Sequence, residues 1–184
     1  MPKKSWLTLL FLLSTGCQGS PDPISAEAKG VPTMKLTSAA FEPEGTIPKQ
    51  YTGEGKDVSP PLSWSGAPAN VKSFALICDD PDAPRKEWVH WVLFNLPADT
   101  NQLAEGASGT TALPHGAREG SNDFRKRGYG GPMPPPGKPH RYYFKLYALD
   151  TMLDMKEGAT KQQVESAIEG HIVAEGQLMG KYAR

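Results

Sequence analysis

Cysteine is scarce in this chain: two residues, Cys17 and Cys78, in 184. Two cysteines supply neither a disulfide framework nor the paired-cysteine pattern of a structural zinc site. An excess of either charge is missing too, since 20 basic and 20 acidic residues cancel. A chain with no net charge and no basic run has no electrostatic footprint for nucleic acid. Three enzyme signatures are also lacking: the H-E-x-x-H of metalloproteases, the G-x-S-x-G elbow and the Gly-Lys-Ser/Thr phosphate loop. What the chain has in quantity is glycine, at 19, and proline, at 18. Both favour short strands and many turns over a helical bundle.

The first 17 residues read as a leader. Lys3 and Lys4 give it a positive start, and the mainly apolar run Trp6–Leu13 is too short to span as a mature helix. It ends Leu13-Ser14-Thr15-Gly16-Cys17, which resembles the lipobox of bacterial lipoproteins, with Ser14 standing where leucine is usual. Lipidation of Cys17 is the expectation, and an ordinary secretory signal the alternative. Either reading sends the protein out of the cytoplasm: to the cell envelope as a membrane-anchored lipoprotein, or to the periplasm or medium as a soluble one. Residues 18–33 lack an apolar period and are rich in Pro, Ser, Ala and Gly, as in a flexible tether. Only Cys78 then remains for the domain, at the end of an apolar strand, where it reads as a buried thiol and not a nucleophile.

Residues 34–184 suit one domain. Short β-type runs alternate with turn signals: Met34–Phe41, Ser59–Trp64, Phe74–Cys78, Trp88–Leu96, Arg141–Leu149 and a closing Ile172–Tyr182. Residues 101–122 are polar and irregular, with Gly106, Gly109, Gly116 and Gly120 as turn positions. Thr160-Lys161-Gln162-Gln163 fits a capping box, and Val164, Ala167 and Ile168 then share one helical face before Gly170. The pattern predicts a mostly-β fold, an antiparallel β-sandwich with one or two short helices near the C-terminus.

Two stretches carry chemistry. Gly128–Tyr142 is too dense in glycine and proline for helix or central strand, yet it runs into an aromatic strand. It can be a stiff pocket wall; a Pro-rich linker or partner motif is the competing reading. The second stretch, Cys78 to Pro84, is an acidic, proline-rich turn between two strands, and the next strand holds His90 among apolar residues. A lone histidine there can be a hydrogen-bonded core residue. With His140, Asp80 and Asp82 it can also be a metal ligand, an acid–base partner or an anion donor. The anion reading uses the residues most economically. Histidines and the Tyr142 hydroxyl donate to the anion, glycine backbone lets amides approach it, and Trp88 and the prolines form an apolar rim. Asp80 and Asp82 would orient the histidines or meet a cationic amine.

Several motifs, in order, resemble the phosphatidylethanolamine-binding proteins, also called Raf kinase inhibitor-like proteins, and their bacterial branch in particular. They are Asp57-Val58-Ser59-Pro60-Pro61-Leu62-Ser63-Trp64, Asp80-Pro81-Asp82-Ala83-Pro84, Trp88-Val89-His90-Trp91, and Gly128 through Tyr142. Met133 departs from the family pattern, where a small residue or cysteine is usual. The resemblance spans Met34 to Arg184. It implies a non-enzymatic domain, without metal or cofactor, that binds a small anion or phospholipid headgroup. The implied ligand residues are Asp80, Trp88, His90, Pro134, His140 and Tyr142, supported by Asp82, Gly130 and Gly131. His115 and His171 lie outside the motifs and have no assigned role. The family's other name implies the alternative, a protein-interaction module that inhibits a kinase or protease.

Overall fold

The computed structural model describes Met1 and residues 30–184. The expected signal peptide, the lipidation site at Cys17 and most of the tether lie outside these residues. In chain order the elements are β1 (Lys35–Thr37), a 3-10 turn (Lys49–Tyr51), β2 (Leu62–Ser65), β3 (Ser73–Asp80), β4 (Trp88–Pro97), β5 (Gln102–Leu103), β6 (Arg118–Glu119), β7 (His140–Leu149), α1 (Lys161–Ile168) and β8 (Ile172–Tyr182). One sheet has the order β1-β2-β5 and the other β6-β4-β3-β7-β8. All of these strand pairs are antiparallel.

Two apolar layers hold the sheets. Leu36, Leu62 and Trp64 of the small sheet pack with Phe74, Leu76, Leu93, Phe144 and Leu146 of the large one. On the large sheet's other face, Ala75, Ile77, Val92 and Phe94 meet Val164 and Ile168 of α1. The large sheet is therefore covered on both sides, which is why every residue of β3 is buried. Each fully buried Leu, Ile or Phe contributes about 1.5–3 kcal/mol relative to exposure. Cys78 lies in the first layer, where burial pushes its thiol well above the usual range, as befits an inert residue.

The helix forms as its sequence predicts. The Thr160 side chain accepts from the Gln163 amide, and the Gln163 side chain accepts from the Thr160 amide at 2.9 Å. Gly170, at φ +80°, follows its end.

Four details differ from the sequence reading. β1 is only three residues long, because the Ser38 hydroxyl bonds to the Pro61 carbonyl at 2.7 Å and to the Ala40 amide, diverting the chain from the ladder. Thr33, placed by sequence in the tether, already pairs with Glu175, so pairing begins before Met34. β3 continues through Asp79 and Asp80; Asp79 is buried because Lys145 and Lys161 both reach it at 2.8 Å. Gly120 is not a positive-φ turn residue but a close approach: a Cβ there would lie 2.3 Å from the Ala159 carbonyl oxygen.

Candidate functional site

A β-bulge sets the site. In the β3–β4 ladder Cys78 faces Trp91, but Asp79 faces Val89, so His90 is an extra residue on β4. Side chains alternate along an unbroken strand, and Trp91 and Leu93 point into the layer between the sheets while Val92 and Phe94 point to the helix. Unbroken alternation would send His90 to the helix side. The bulge resets the phase, so His90 faces the same side as Trp91 and lines a cavity with Trp88.

That cavity, of about 210 Å³, is lined by Asp80, Ala83, Pro84, Trp88, His90, Phe124, Met133, Pro134, Pro135, His140 and Tyr142. All six residues assigned to the ligand by resemblance line it together. The His90 ring is wedged between aromatic edges, 5.4 Å from Phe124 and 5.1 Å from Tyr142, measured between ring centroids. Its Nδ1 lies 2.6 Å from the Gly130 carbonyl oxygen, and the Gly130 amide donates back to the His90 carbonyl at 2.9 Å. A carbonyl only accepts, so Nδ1 carries the proton and Nε2 is left for the cavity. Burial pushes the His90 pKa below its ordinary value, opposed by the Gly130 carbonyl and by Asp80.

His140 is held in the same manner by a different group. Its Nδ1 lies 2.8 Å from Asp80 Oδ2, at the ends of neighbouring strands. The other Asp80 oxygen accepts from the Asp82 amide at 2.8 Å. Each carboxylate oxygen thus accepts one hydrogen bond, and Asp80 orients His140. Tyr142 is buried, and its hydroxyl makes no well-formed hydrogen bond among the described residues, although Asp80 lies close enough to act on it. Burial, with Asp80 nearby, pushes that hydroxyl far above the ordinary tyrosine range, so it stays protonated and can donate.

The supporting residues act otherwise than the sequence suggested. Asp82 orients no histidine; it holds Arg141, through two guanidinium bonds and the Arg141 amide. Gly130 and Gly131 offer no free amide to a ligand, because one donates to His90 and the other to Asp57 Oδ1 at 2.6 Å. They are glycines for want of room. A Cβ on Gly130 would sit 2.6 Å from the Phe124 ring, and one on Gly131 2.4 Å from the Tyr51 carbonyl oxygen.

Sequence reasoning missed Phe124 and gave Asp57, though it opens one of the quoted motifs, no role. Phe124 is the one aromatic residue between Leu96 and Tyr129, and that isolation was the available signal. Asn122 fixes the turn that carries it, accepting from the amides of Phe124 and Lys126 and donating to the Gly128 carbonyl. Met133 is 47% exposed at the cavity mouth. His171 pairs with Asp150 at the surface, away from the cavity lining. A larger cleft of about 650 Å³, lined by Leu113, Glu119 and Arg127 among others, lies apart from these residues. Its buried-side acid, Glu119, is already satisfied by Trp91, Ser108 and Gly109. Among the described residues no three His, Cys, Asp or Glu side chains cluster to hold a metal ion.

The sequence profile of the phosphatidylethanolamine-binding protein family matches residues 37–183. A UPF0098 protein of Methanothermobacter thermautotrophicus is 52% identical over 151 residues, covering 82% of this chain and 99% of that protein. A second, from Pyrococcus horikoshii, is 42% identical over 182 residues, covering 97% of this chain and 87% of the relative. Among solved structures, a Chlamydia trachomatis protein described as a phosphatidylethanolamine-binding protein homologue superposes with TM-score 0.76 at 44% identity. It covers 83% of this chain and 98% of its own. Escherichia coli YbcL, described as a member of the mammalian family of these proteins, gives 0.78 at 35% identity, over 82% of this chain and 98% of its own.

Proposed function

This chain belongs to the phosphatidylethanolamine-binding protein family, and on that premise we propose that it is a non-enzymatic binder of a small anion or phospholipid headgroup. One observation carries the reading. Two histidines have their Nδ1 atoms tied down, one by Gly130 and one by Asp80, and both line one cavity with Tyr142. Two imidazoles and a tyrosine hydroxyl in an apolar-lined pocket suit a small polar head with an apolar extension. Among the described residues, the hydroxyl and thiol groups near these histidines are poor nucleophiles: Cys78 is sealed in the core, and the Tyr142 hydroxyl is held neutral. The domain is further proposed to work outside the cytoplasm, tethered through lipid on Cys17.

The test is calorimetric titration of phosphoethanolamine and glycerophosphoethanolamine into wild type, His90→Ala and His140→Ala. Loss of either histidine should weaken binding by about 1.5–3 kcal/mol, the range for a hydrogen bond to a charged group. Equal affinity in all three proteins places the ligand elsewhere. Turnover of phosphoesters, esters or peptides that vanishes in both variants would make the domain an enzyme instead.

A further inference from the structure

Met133 takes no part in the hydrogen bonding of the cavity, yet it is seated more firmly than an exposed methionine need be. Pro132 and Pro134 restrict the backbone on either side of it. The Gly53 amide donates to the Pro132 carbonyl at 2.9 Å, tying this loop to the turn after Tyr51. The thioether then lies on Gly53 itself: a Cβ at that position would sit 2.8 Å from Met133 Sδ and 3.3 Å from Met133 Cβ. Gly53 has no positive φ that would call for glycine, so its missing side chain is the room that Met133 occupies. From that seat Met133 forms part of the cavity wall with Pro134, Pro135 and His140.

The same thioether is open to solvent. Met133 is 47% exposed, whereas Met34 in the core is 2% exposed. Exposed thioethers react with peroxides. The sulfur lone pair attacks one oxygen of hydrogen peroxide and the O–O bond breaks. The second oxygen leaves as water, carrying the proton of the first. Sulfur loses two electrons and peroxide gains them, so no cofactor enters. The product is a polar, chiral sulfoxide in place of a flexible apolar chain. Between Gly53 and the proline rings, the new oxygen has crowding on one side and apolar wall on the other. A half-exposed side chain escapes both by turning into water.

We infer that Met133 is a peroxide-modified site that controls the mouth of the cavity: sulfoxidation lifts the side chain off Gly53 and loosens the tie between Gly53 and Pro132. Nothing in this depends on which ligand the cavity takes. The step is reversed by a methionine sulfoxide reductase, which makes the wall a redox-set element and not a lesion.

The purified protein is treated with hydrogen peroxide and sampled by peptide mass mapping, with Met34 as the buried control and Met152, 51% exposed, as the open one. Met133 should gain its oxygen at least about tenfold faster than Met34. Hydrogen exchange at the Gly53 amide, followed by NMR before and after peroxide in each protein, reads the seat. Peroxide should speed that exchange by about tenfold or more in wild type and in Met152→Leu, and leave it unchanged in Met133→Leu. Met133→Gln, which sets a polar group where the sulfoxide forms, should exchange fast without peroxide. Oxidation of Met133 as slow as that of Met34 overturns the inference. So does a Gly53 amide equally protected in oxidised and untreated wild type, a peroxide effect that persists in Met133→Leu, or slow exchange in Met133→Gln.

Discussion

Arg141 grips Asp82 with two guanidinium nitrogens, at 2.7 and 2.8 Å, and with its own backbone amide at 2.9 Å. The pair staples the turn after β3 to the start of β7, beside the pocket mouth. The Arg141 hydrogen bonds hold the Asp82 carboxyl down at about 2. A depressed carboxyl stabilises the fold fully above the unfolded aspartate value of about 3.9, and that contribution disappears as pH falls through the folded value. Arg141→Gln should therefore melt lower than wild type near neutrality, and the gap should close toward about pH 2. Thermal melts across pH check this; because the pair is partly exposed, the gap will be modest.

Asp80→Asn tests the orientation of His140. The amide keeps the shape and removes the charge beneath the imidazole. Phosphoethanolamine affinity should drop by roughly tenfold, about 1.4 kcal/mol, with the melting temperature near that of wild type. Unchanged affinity in calorimetry would show that the carboxylate does not act through the ring.

Two glycine substitutions should separate crowding from backbone conformation. Gly131→Ala puts a methyl against the Tyr51 carbonyl, the Thr52 Cα and the Asp57 carboxylate, and two of these three are backbone. Destabilisation of about 2–4 kcal/mol is expected, with loss of the loop's hold on the pocket. Gly116→Ala meets nothing within 4 Å but keeps φ +90°, and should cost about 1 kcal/mol. Denaturant unfolding of both proteins decides the order.

Cys78 should stay unlabelled by iodoacetamide in native buffer and react fully in denaturant, as read by peptide mass mapping. Native labelling would mean that the core opens around it.

On the proposed lipidation, Cys17→Ser should leave the protein unprocessed or release it from the membrane fraction. A single acyl chain anchors only marginally, so a multiply acylated Cys17 should partition firmly. An intact mass with an unmodified N-terminus beginning elsewhere would refute lipidation and leave export open.

Much of the architecture was legible because its signals are local. The capping box at Thr160, the closing strand from Ile172 and the three long strands need only a few neighbouring residues to be recognised. The partnership of Asp80 with His140 was legible as chemistry, though 60 positions separate them. The bulge was not. Val89, Trp91 and Val92 around His90 are all apolar, so no polar alternation marks where the phase slips. Nor could sequence tell that the Gly130 and Gly131 amides are consumed within the fold, since their partners, His90 and Asp57, lie 40 and 74 positions away. Asp82 likewise read as a helper of histidines until its competitor, Arg141, came into reach.

The phase slip in β4 gives one strand two independent addresses. Residues from Trp91 onward alternate between the layer between the sheets and the helix side, and Trp88 and His90 are indexed to the cavity. Losing one residue before Trp91 would erase the slip and rotate the imidazole to the helix side, while Val92, Leu93 and Phe94 kept their seats. A single-codon deletion would therefore take the imidazole out of the proposed pocket and leave the Gly130 carbonyl without its partner, while the strand beyond Trp91 kept its register.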